Sequence, residues 1–207
     1  MRLLTNYVLV LLCVTGCVVT PRSGTRHSSL ASLAPKLDSA VAVAVRDNRP
    51  LVEKEKNPST GYLYSGALFA VEGNEKTVAT DLCNLITQYE GARKAYVTPE
   101  LPTQGPALLF EMNHWYSRAP LKPDTSVIVV TGEFSGVITL YRDAKIIATF
   151  TTSAEGNSGI VDSLAIGKKD SSNMIWNAML NTANSALQNG YSKLHSQLLG
   201  HWHLFAE

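Results

Sequence analysis

The sequence predicts an α+β domain in which a mostly antiparallel sheet carries two helices packed on one face. Three observations point there. Two long blocks, residues 106–120 and 125–156, read as strands, and the second doubles back through "RDAK" at 142–145. Residues 76–91 and 173–200 instead repeat apolar residues every three or four positions, the spacing of a helical stripe. The segment "AVAVAV" at 40–45 joins small and β-branched residues, the composition of a strand buried on both faces.

The chain opens with Met1-Arg2 and, after a short polar break, reaches an apolar run from Tyr7 to Val14 that ends in the small residues Thr15 and Gly16. One positive charge, a short apolar core and a small-residue end are the parts of a secretory signal. An uncleaved anchor is the alternative. The uncharged stretch from Leu3 to Pro21 just reaches spanning length, but Thr5, Asn6, Thr15 and Gly16 dilute it, and a stable span needs about 20 predominantly apolar residues. The cysteines four apart, Cys13 and Cys17, are not a pair. "VTGC" at 14–17 resembles the bacterial lipobox: an aliphatic residue, a small residue, Gly, then Cys. The resemblance implies that the Cys17 thiol is acylated, that a peptidase cuts before it, and that Cys17 becomes the first residue. Small residues at 15 and 16 leave the backbone open to that peptidase, and only a thiol makes the thioether. It also implies sorting to the outer membrane, since Val18 and Val19 stand where an Asp favours the inner one. Each buried methylene of an acyl chain contributes about 0.8 kcal/mol, so several chains anchor firmly. Cys13 is left as a small hydrophobe in a discarded segment.

Residues 1–16 are thus expected to be a signal peptide, and 17–40 a lipidated N-terminus with a flexible tether. Of the 18 basic and 17 acidic residues, the signal removes only Arg2, leaving the mature chain neutral. Neutrality argues against nucleic acid and against a polybasic membrane-surface binder. One further cysteine, Cys83, allows no intramolecular disulfide, so stability must come from a packed core. The tether, rich in Ser, Thr and Pro, holds the domain on the order of 25 Å from the membrane.

A single domain is expected over 41–200. After the first strand come a solvated connection around Lys54–Lys56 and one or two short strands in "GYLYSGALFAVEG", 61–73. The helix over 76–91 places Val78, Leu82, Leu85, Ile86 and Tyr89 on one face, with Gly91 as its stop. Cys83 beside that stripe reads as a buried structural thiol, since no cationic neighbour lowers its pKa. "ARKAYVTP" is a short strand. In "PALLFEMNHWYSRAP", Leu108, Phe110, Met112, His114 and Tyr116 alternate with the rest and read as the core face. Gly132 and Gly136 suggest a bulged, twisted strand. Residues 155–173 read as a loop. The last helix presents Met174, Ile175, Ala178, Met179, Thr182, Ala183, Ala186 and Leu187, continued by Tyr191, Leu194 and Leu198, with a bend at Gly190. Residues 201–207 form a lightly packed tail.

Catalytic patterns fail. "GEFSG" and "GNSG" have the wrong spacing for a nucleophile elbow, and "IGKKDSS" lacks the upstream glycine of a phosphate loop. His201 and His203 flank Trp202, but a metal site needs three or four ligands. His27 lies in the tether and His195 on the helix; His114 reads as a core or half-buried histidine with a hydrogen-bond partner. Arg46, Asp47 and Arg49 at the end of the first strand read as a salt-bridged turn, with a ligand cradle as the alternative. Glu111 and Glu133 are carboxylates on strands, with nothing that places them together. No cofactor or metal is expected.

The order of elements, with "VRDNRP", "LLFEMNHWY" and "GVITLYRDAKIIATFT", resembles the small bacterial envelope lipoproteins of the YajG type, related in shape to LptE-like and transport-auxiliary lipoproteins. The insert at 51–73 and the "GHWHLFAE" tail depart from that pattern. The resemblance covers roughly residues 40–200. It implies two helices on one face of a sheet and no catalytic residues. The expectation is therefore a non-enzymatic lipoprotein on the periplasmic face of the outer membrane, held in the bilayer by Cys17 and partnered with an envelope protein in an assembly or transport system. Two other classes stand against it. One is a lipid or glycolipid carrier, which needs an apolar cavity between sheet and helices. The other is an envelope hydrolase, which needs acidic or nucleophilic residues to converge in a cleft; Glu111, Glu133 and His114 on separate faces would count against it.

Overall fold

The computed structural model describes residues 37–54, 61–65, 71–89, 92–120, 127–162 and 171–206. The expected signal peptide, Cys13, Cys17, His27 and most of the tether lie outside them. In chain order the elements are β1 (Leu37–Asp47), α1 (Leu51–Lys54), β2 (Tyr62–Tyr64), α2 (Val71–Tyr89), β3 (Ala92–Val97), β4 (Pro106–Pro120), β5 (Val127–Arg142), β6 (Lys145–Glu155), β7 (Gly159–Asp162), α3 (Ser171–His201) and α4 (His203–Ala206). β1 begins at Leu37, so four residues of the expected tether belong to the sheet.

The fold is α+β, as the sequence predicts. The strand order is β3-β1-β4-β5-β6, with β2 also on β4 and β7 also on β5. β1 runs parallel to both β3 and β4, and every other pairing is antiparallel. A strand central to two parallel neighbours has both faces covered, which the Ala-Val run answers: Val41, Ala42, Val43 and Ala44 are all buried. β4 and β5 are the spine, long enough to carry β1 and β6 at one end and the short β2 and β7 at the other.

α2 and α3 lie on the same face. Val78, Leu82 and Ile86 of α2 and Leu187, Leu194 and Leu198 of α3 share one core with Val41, Val43, Leu108, Phe110 and Ile138. Tyr191 on α3 donates to Asp81 Oδ2 on α2 at 3.0 Å, and burial raises the pKa of both groups. Cys83 is buried as expected, its thiol pushed up to about 11 by burial. The N-terminal part of α3 packs Met179 into a smaller core with Ala119, Ile128, Val130 and Val161 under the β2–β7 end.

The face assignment on β4 needs correction. The pairing with β5 shifts register between Met112 and His114. One extra residue reverses the alternation. Leu108, Phe110 and Met112 enter the core as expected, but beyond the bulge it is Trp115, Ser117 and Ala119 that are buried. His114 and Tyr116 therefore stand on the opposite, open face.

Gly132 and Gly136 permit close approach, and Gly136 also sits at the bulge of the β4–β5 ladder, where it pairs with Met112 while the extra residue is on β4. A Cβ on Gly136 would press on the Phe110 ring, and one on Gly132 would stand 2.8 Å from the Tyr116 carbonyl. α3 runs unbroken over Gly190, where a Cβ would come under 3.0 Å from two ring carbons of Phe134. Gly156 and Gly159 similarly let β6 and β7 touch Thr182 and Ala178 of α3.

The chain's end is a second correction. Trp202 and Phe205 are among the largest fully buried side chains, packed edge to face at 5.2 Å, and Arg142 Nη2 donates to the Phe205 carbonyl. The tail is thus part of the core. α3 also clips the free edge of β6. Asn189, Lys193 and Gln197, spaced by four, donate to the carbonyls of Glu155, Ser153 and Thr151 at 2.8, 2.6 and 2.6 Å. The two periodicities match, since every second strand residue points its carbonyl outward while every fourth helix residue faces it. Covering an edge in this way blocks pairing with another chain.

Candidate binding site on the open face of the sheet

β1 leaves β4 at Met112 and β2 joins it at Arg118, so β4 has a bare edge between them. Side chains of Arg49, in the β1–β2 connection, and of Ser65, just after β2, fill it. Arg49 Nη1 donates to the Trp115 carbonyl at 3.1 Å, and the Ser117 amide donates to Ser65 Oγ at 2.9 Å. Arg49 is itself fixed by Asp47, with Nε to Oδ1 at 2.9 Å and Nη2 to Oδ2 at 2.7 Å. The two side chains are 1% and 4% exposed, and Lys54 adds a third contact at 3.5 Å. Burial alone would raise the Asp47 pKa, but Arg49 and Lys54 together hold it below its ordinary value. Arg46 is exposed and meets Glu111 only at 3.9 Å. The Arg46–Asp47–Arg49 motif is therefore the salt-bridged turn, closing a gap that a ligand cradle would have to leave open.

His114 meets its expected partner nearby. Its Nδ1 lies 2.6 Å from Oε1 of Glu53 on α1, a carboxylate buried by the same connection. Burial raises the Glu53 pKa against the pull of His114, the Trp115 amide and Arg49.

The open face carries the remaining polar chemistry. Tyr116 and Glu133 are opposite each other in register, as are Glu133 and Glu155, so the three side chains lie in one row across β4, β5 and β6. The next row holds Tyr64, Arg118 and Thr131. Arg118 stacks over Tyr62 at 4.8 Å and Tyr116 at 5.9 Å, while its Nε points to Thr131 Oγ1 at 3.4 Å. Tyr116 donates to Glu133 Oε2 at 3.4 Å. Its pKa is raised by burial and by the Glu133 charge. Tyr116, Arg118, Thr131, Glu133, Glu155 and Ser158 line a cleft of about 250 Å³. One row further on, Val129 and Ile160 pair in register and are both exposed.

Glu111, His114 and Glu133 thus share a face, but each is engaged with a different neighbour: Arg46 and Asn48, Glu53, and Tyr116. His195 is buried on α3; His201 stacks on Phe150 at 5.0 Å, and His203 is exposed beyond the buried Trp202. Among the described residues no three His, Cys, Asp or Glu side chains are grouped to hold a metal ion. Nor is any of their helices long and apolar enough to cross a membrane. The sequence reading missed Tyr62, Tyr64, Arg118 and Glu155. Their assembly depends on register: the bulge in β4 brings Tyr116 and Arg118 to the face where Glu133 and Glu155 meet.

No protein-family model matches the chain, and no curated protein matches it in sequence. Solved structures match in outline. The chain is similar to a protein of Helicobacter pylori described as a neuraminyllactose-binding hemagglutinin homolog, at 12% identity and a TM-score of 0.39, over 82% of this chain and 92% of that one. It is similar to a Xanthomonas campestris protein of the DUF330 family at 9% identity and a TM-score of 0.43, over 80% and 90%. It is also similar to a minor lipoprotein of Acinetobacter baumannii at 8% identity and a TM-score of 0.40, over 81% and 95%. Likeness at this level transfers neither ligand nor activity.

Proposed function

We propose that this chain is a lipoprotein of the bacterial envelope, anchored through an acylated Cys17 in the outer membrane, that acts by binding rather than by catalysis. The observation that carries the reading is "VTGC" at the end of a short apolar run. The geometry supports it. Nineteen residues, 18–36, lie between Cys17 and the start of β1 at Leu37. From Leu37 to the open-face cleft the strands climb roughly 45 Å at about 3.3 Å per residue. The cleft therefore lies at the end of the sheet away from the start of β1.

The two competing classes fit less well. A lipid carrier needs space between sheet and helices, yet α3 approaches β5, β6 and β7 so closely that a methyl group has no room at Gly132, Gly156 or Gly190. A hydrolase would draw on Glu133 and Glu155, which face each other in one cleft. The other candidate acid and base, Glu111 and His114, are engaged elsewhere, with Arg46 and with Glu53. Labelling cells with a radioactive fatty acid tests the anchor. The wild type is expected to carry label, and Cys17→Ser to lose it and retain its signal peptide. Undiminished label on the variant would overturn the proposal.

A further inference from the structure

We infer that the open-face cleft recognises an α-amino-acid zwitterion, with Glu133 and Glu155 taking the ammonium and Arg118 the carboxylate. The inference rests on the reading of this face as a binding surface and assigns its ligand class. Glu133 and Glu155 are a direct cross-strand pair on one face, which sets their Cβ atoms about 4.5–5.5 Å apart. Like charges so placed destabilise a sheet unless a cation comes between them. Among the described residues neither carboxylate has an ion-pair partner, although Arg118 stands on the neighbouring strand one row away. Arg118 is kept from them by its own contacts. Stacking on Tyr62 and Tyr116 fixes the guanidinium plane, Thr131 takes Nε, and the Tyr64 hydroxyl accepts a further hydrogen bond from the guanidinium. Among the described residues two carboxylates and one guanidinium thus stand in a single cleft without an ion pair, on positions that are diagonal neighbours across β4 and β5.

A ligand with an ammonium and a carboxylate on one carbon complements that pattern. Its ammonium has three N–H donors for two carboxylates, and its carboxylate takes guanidinium N–H groups that Thr131 and Tyr64 do not occupy, since five donors exceed those two partners. Tyr116, through its hydroxyl, orients Glu133 from the side opposite Glu155. The cleft has room for such a head group but not for a whole peptide. Beyond Arg118 the exposed Val129–Ile160 pair offers a strip for methylenes, so the better ligands have an aliphatic chain behind the zwitterion. Two sources supply this chemistry. One is a free diamino acid, the other a cell-wall peptide whose diamino acid keeps one α-centre unsubstituted.

Calorimetric titration of the purified full-length protein with three seven- or five-carbon probes tests the inference. meso-Diaminopimelate carries the zwitterion, pimelate only carboxylates, and 1,5-diaminopentane only ammoniums. Diaminopimelate is expected to bind, and the other two to bind at least tenfold more weakly. Glu155→Gln and Glu133→Gln each remove a charge-assisted hydrogen bond, so each should weaken diaminopimelate about tenfold or more. Arg118→Gln should do the same, and Glu155→Gln, on an exposed residue, keeps the test valid if Arg118→Gln unfolds. No binding of diaminopimelate, equal binding of pimelate, or full affinity in a folded Glu155→Gln variant would overturn the inference. Retention on insoluble cell wall that diaminopimelate displaces identifies the wall as source, and binding of free diaminopimelate without such retention identifies the free amino acid. Loss of the Cys17 fatty-acid label would sink the anchor while leaving these titrations standing. Consumption of the probe would remove the non-catalytic reading alone.

Discussion

Replacing Gly190 with alanine sets two effects of opposite sign against each other. In a helix interior alanine is favoured over glycine by about 1 kcal/mol, so local propensity alone makes the change stabilising. The packing says otherwise. A Cβ at position 190 would come under 3.0 Å from two carbons of the Phe134 ring, well inside ordinary contact. Phe134 is fully buried, with Phe110 at 5.6 Å on one side and Tyr191 at 5.8 Å on another, so the ring has nowhere to go. Relief must come from lifting α3 off β5, which also strains the contacts at Gly132 and Gly156. Overpacking of this kind costs about 1–3 kcal/mol, and a site closed on every side belongs at the upper end. After the propensity gain the net loss is about 2 kcal/mol. For a domain of this size that lowers the melting temperature by roughly 4–8 °C. Urea titration and thermal melts of Gly190→Ala read this directly, and Phe134→Leu in the Gly190→Ala background should recover part of the loss. An unchanged or raised midpoint in Gly190→Ala would refute the close approach of α3 to the sheet.

Three further outcomes are expected. Asp47→Asn leaves the Arg49 guanidinium buried without its counter-ion and should cost about 3 kcal/mol at pH 7 by urea titration. Because the folded-state pKa of Asp47 lies below its ordinary 3.8, the pair's contribution is complete above about pH 4 and is lost as pH falls through the folded value. The gap between wild type and Asp47→Asn should therefore narrow below pH 4, while Glu53, raised by burial, titrates alike in both proteins and cancels. The two-residue hairpin turn holds Asp143 and Ala144 at φ of 51° and 61°, the left-handed region that glycine occupies without strain. Ala144→Gly should accordingly raise stability by about 0.5–1 kcal/mol, detectable as a small rise in the melting midpoint. Trp202→Ala should cost about 3–5 kcal/mol and lower the melting temperature by roughly 6–20 °C; a loss under 1 kcal/mol would return the C-terminus to the status of a loose tail.

Patterns with a strong period were legible in the sequence, and contacts that depend on a one-residue offset were not. The stripe Val78–Leu82–Ile86 and its counterpart Leu187–Tyr191–Leu194–Leu198 announce two helices with one apolar face each, and burial on one side of the sheet follows. The hairpin at 142–145 and the doubly buried first strand were equally plain. The reversal at His114 was hidden, because "FEMNHWYSR" alternates well enough to read as one uninterrupted strand. That single bulge moves Tyr116 and Arg118 to the open face and so decides the cleft. Glu155 was invisible for a related reason: its meeting with Glu133 depends on the length of the β5–β6 hairpin, which no local pattern prints. The short tail misled because two aromatics among histidines look unstructured until the rest of the core is present to receive them. Arg46, Asp47 and Arg49 are legible as a turn, since an aspartate two residues before an arginine can close on it without help from elsewhere.

The central claim is that the mature protein begins at Cys17 and is held to the membrane by lipid on that residue. Intact-mass measurement of the protein extracted from envelope membranes, followed by sequencing of its N-terminal peptide, tests it most directly. The account predicts a chain lacking residues 1–16 and heavier than the 17–207 polypeptide by a diacylglycerol group and an amide-linked acyl chain, all of it on Cys17. A chain that retains residues 1–16, or one that starts at or near Cys17 with no added mass, would contradict it.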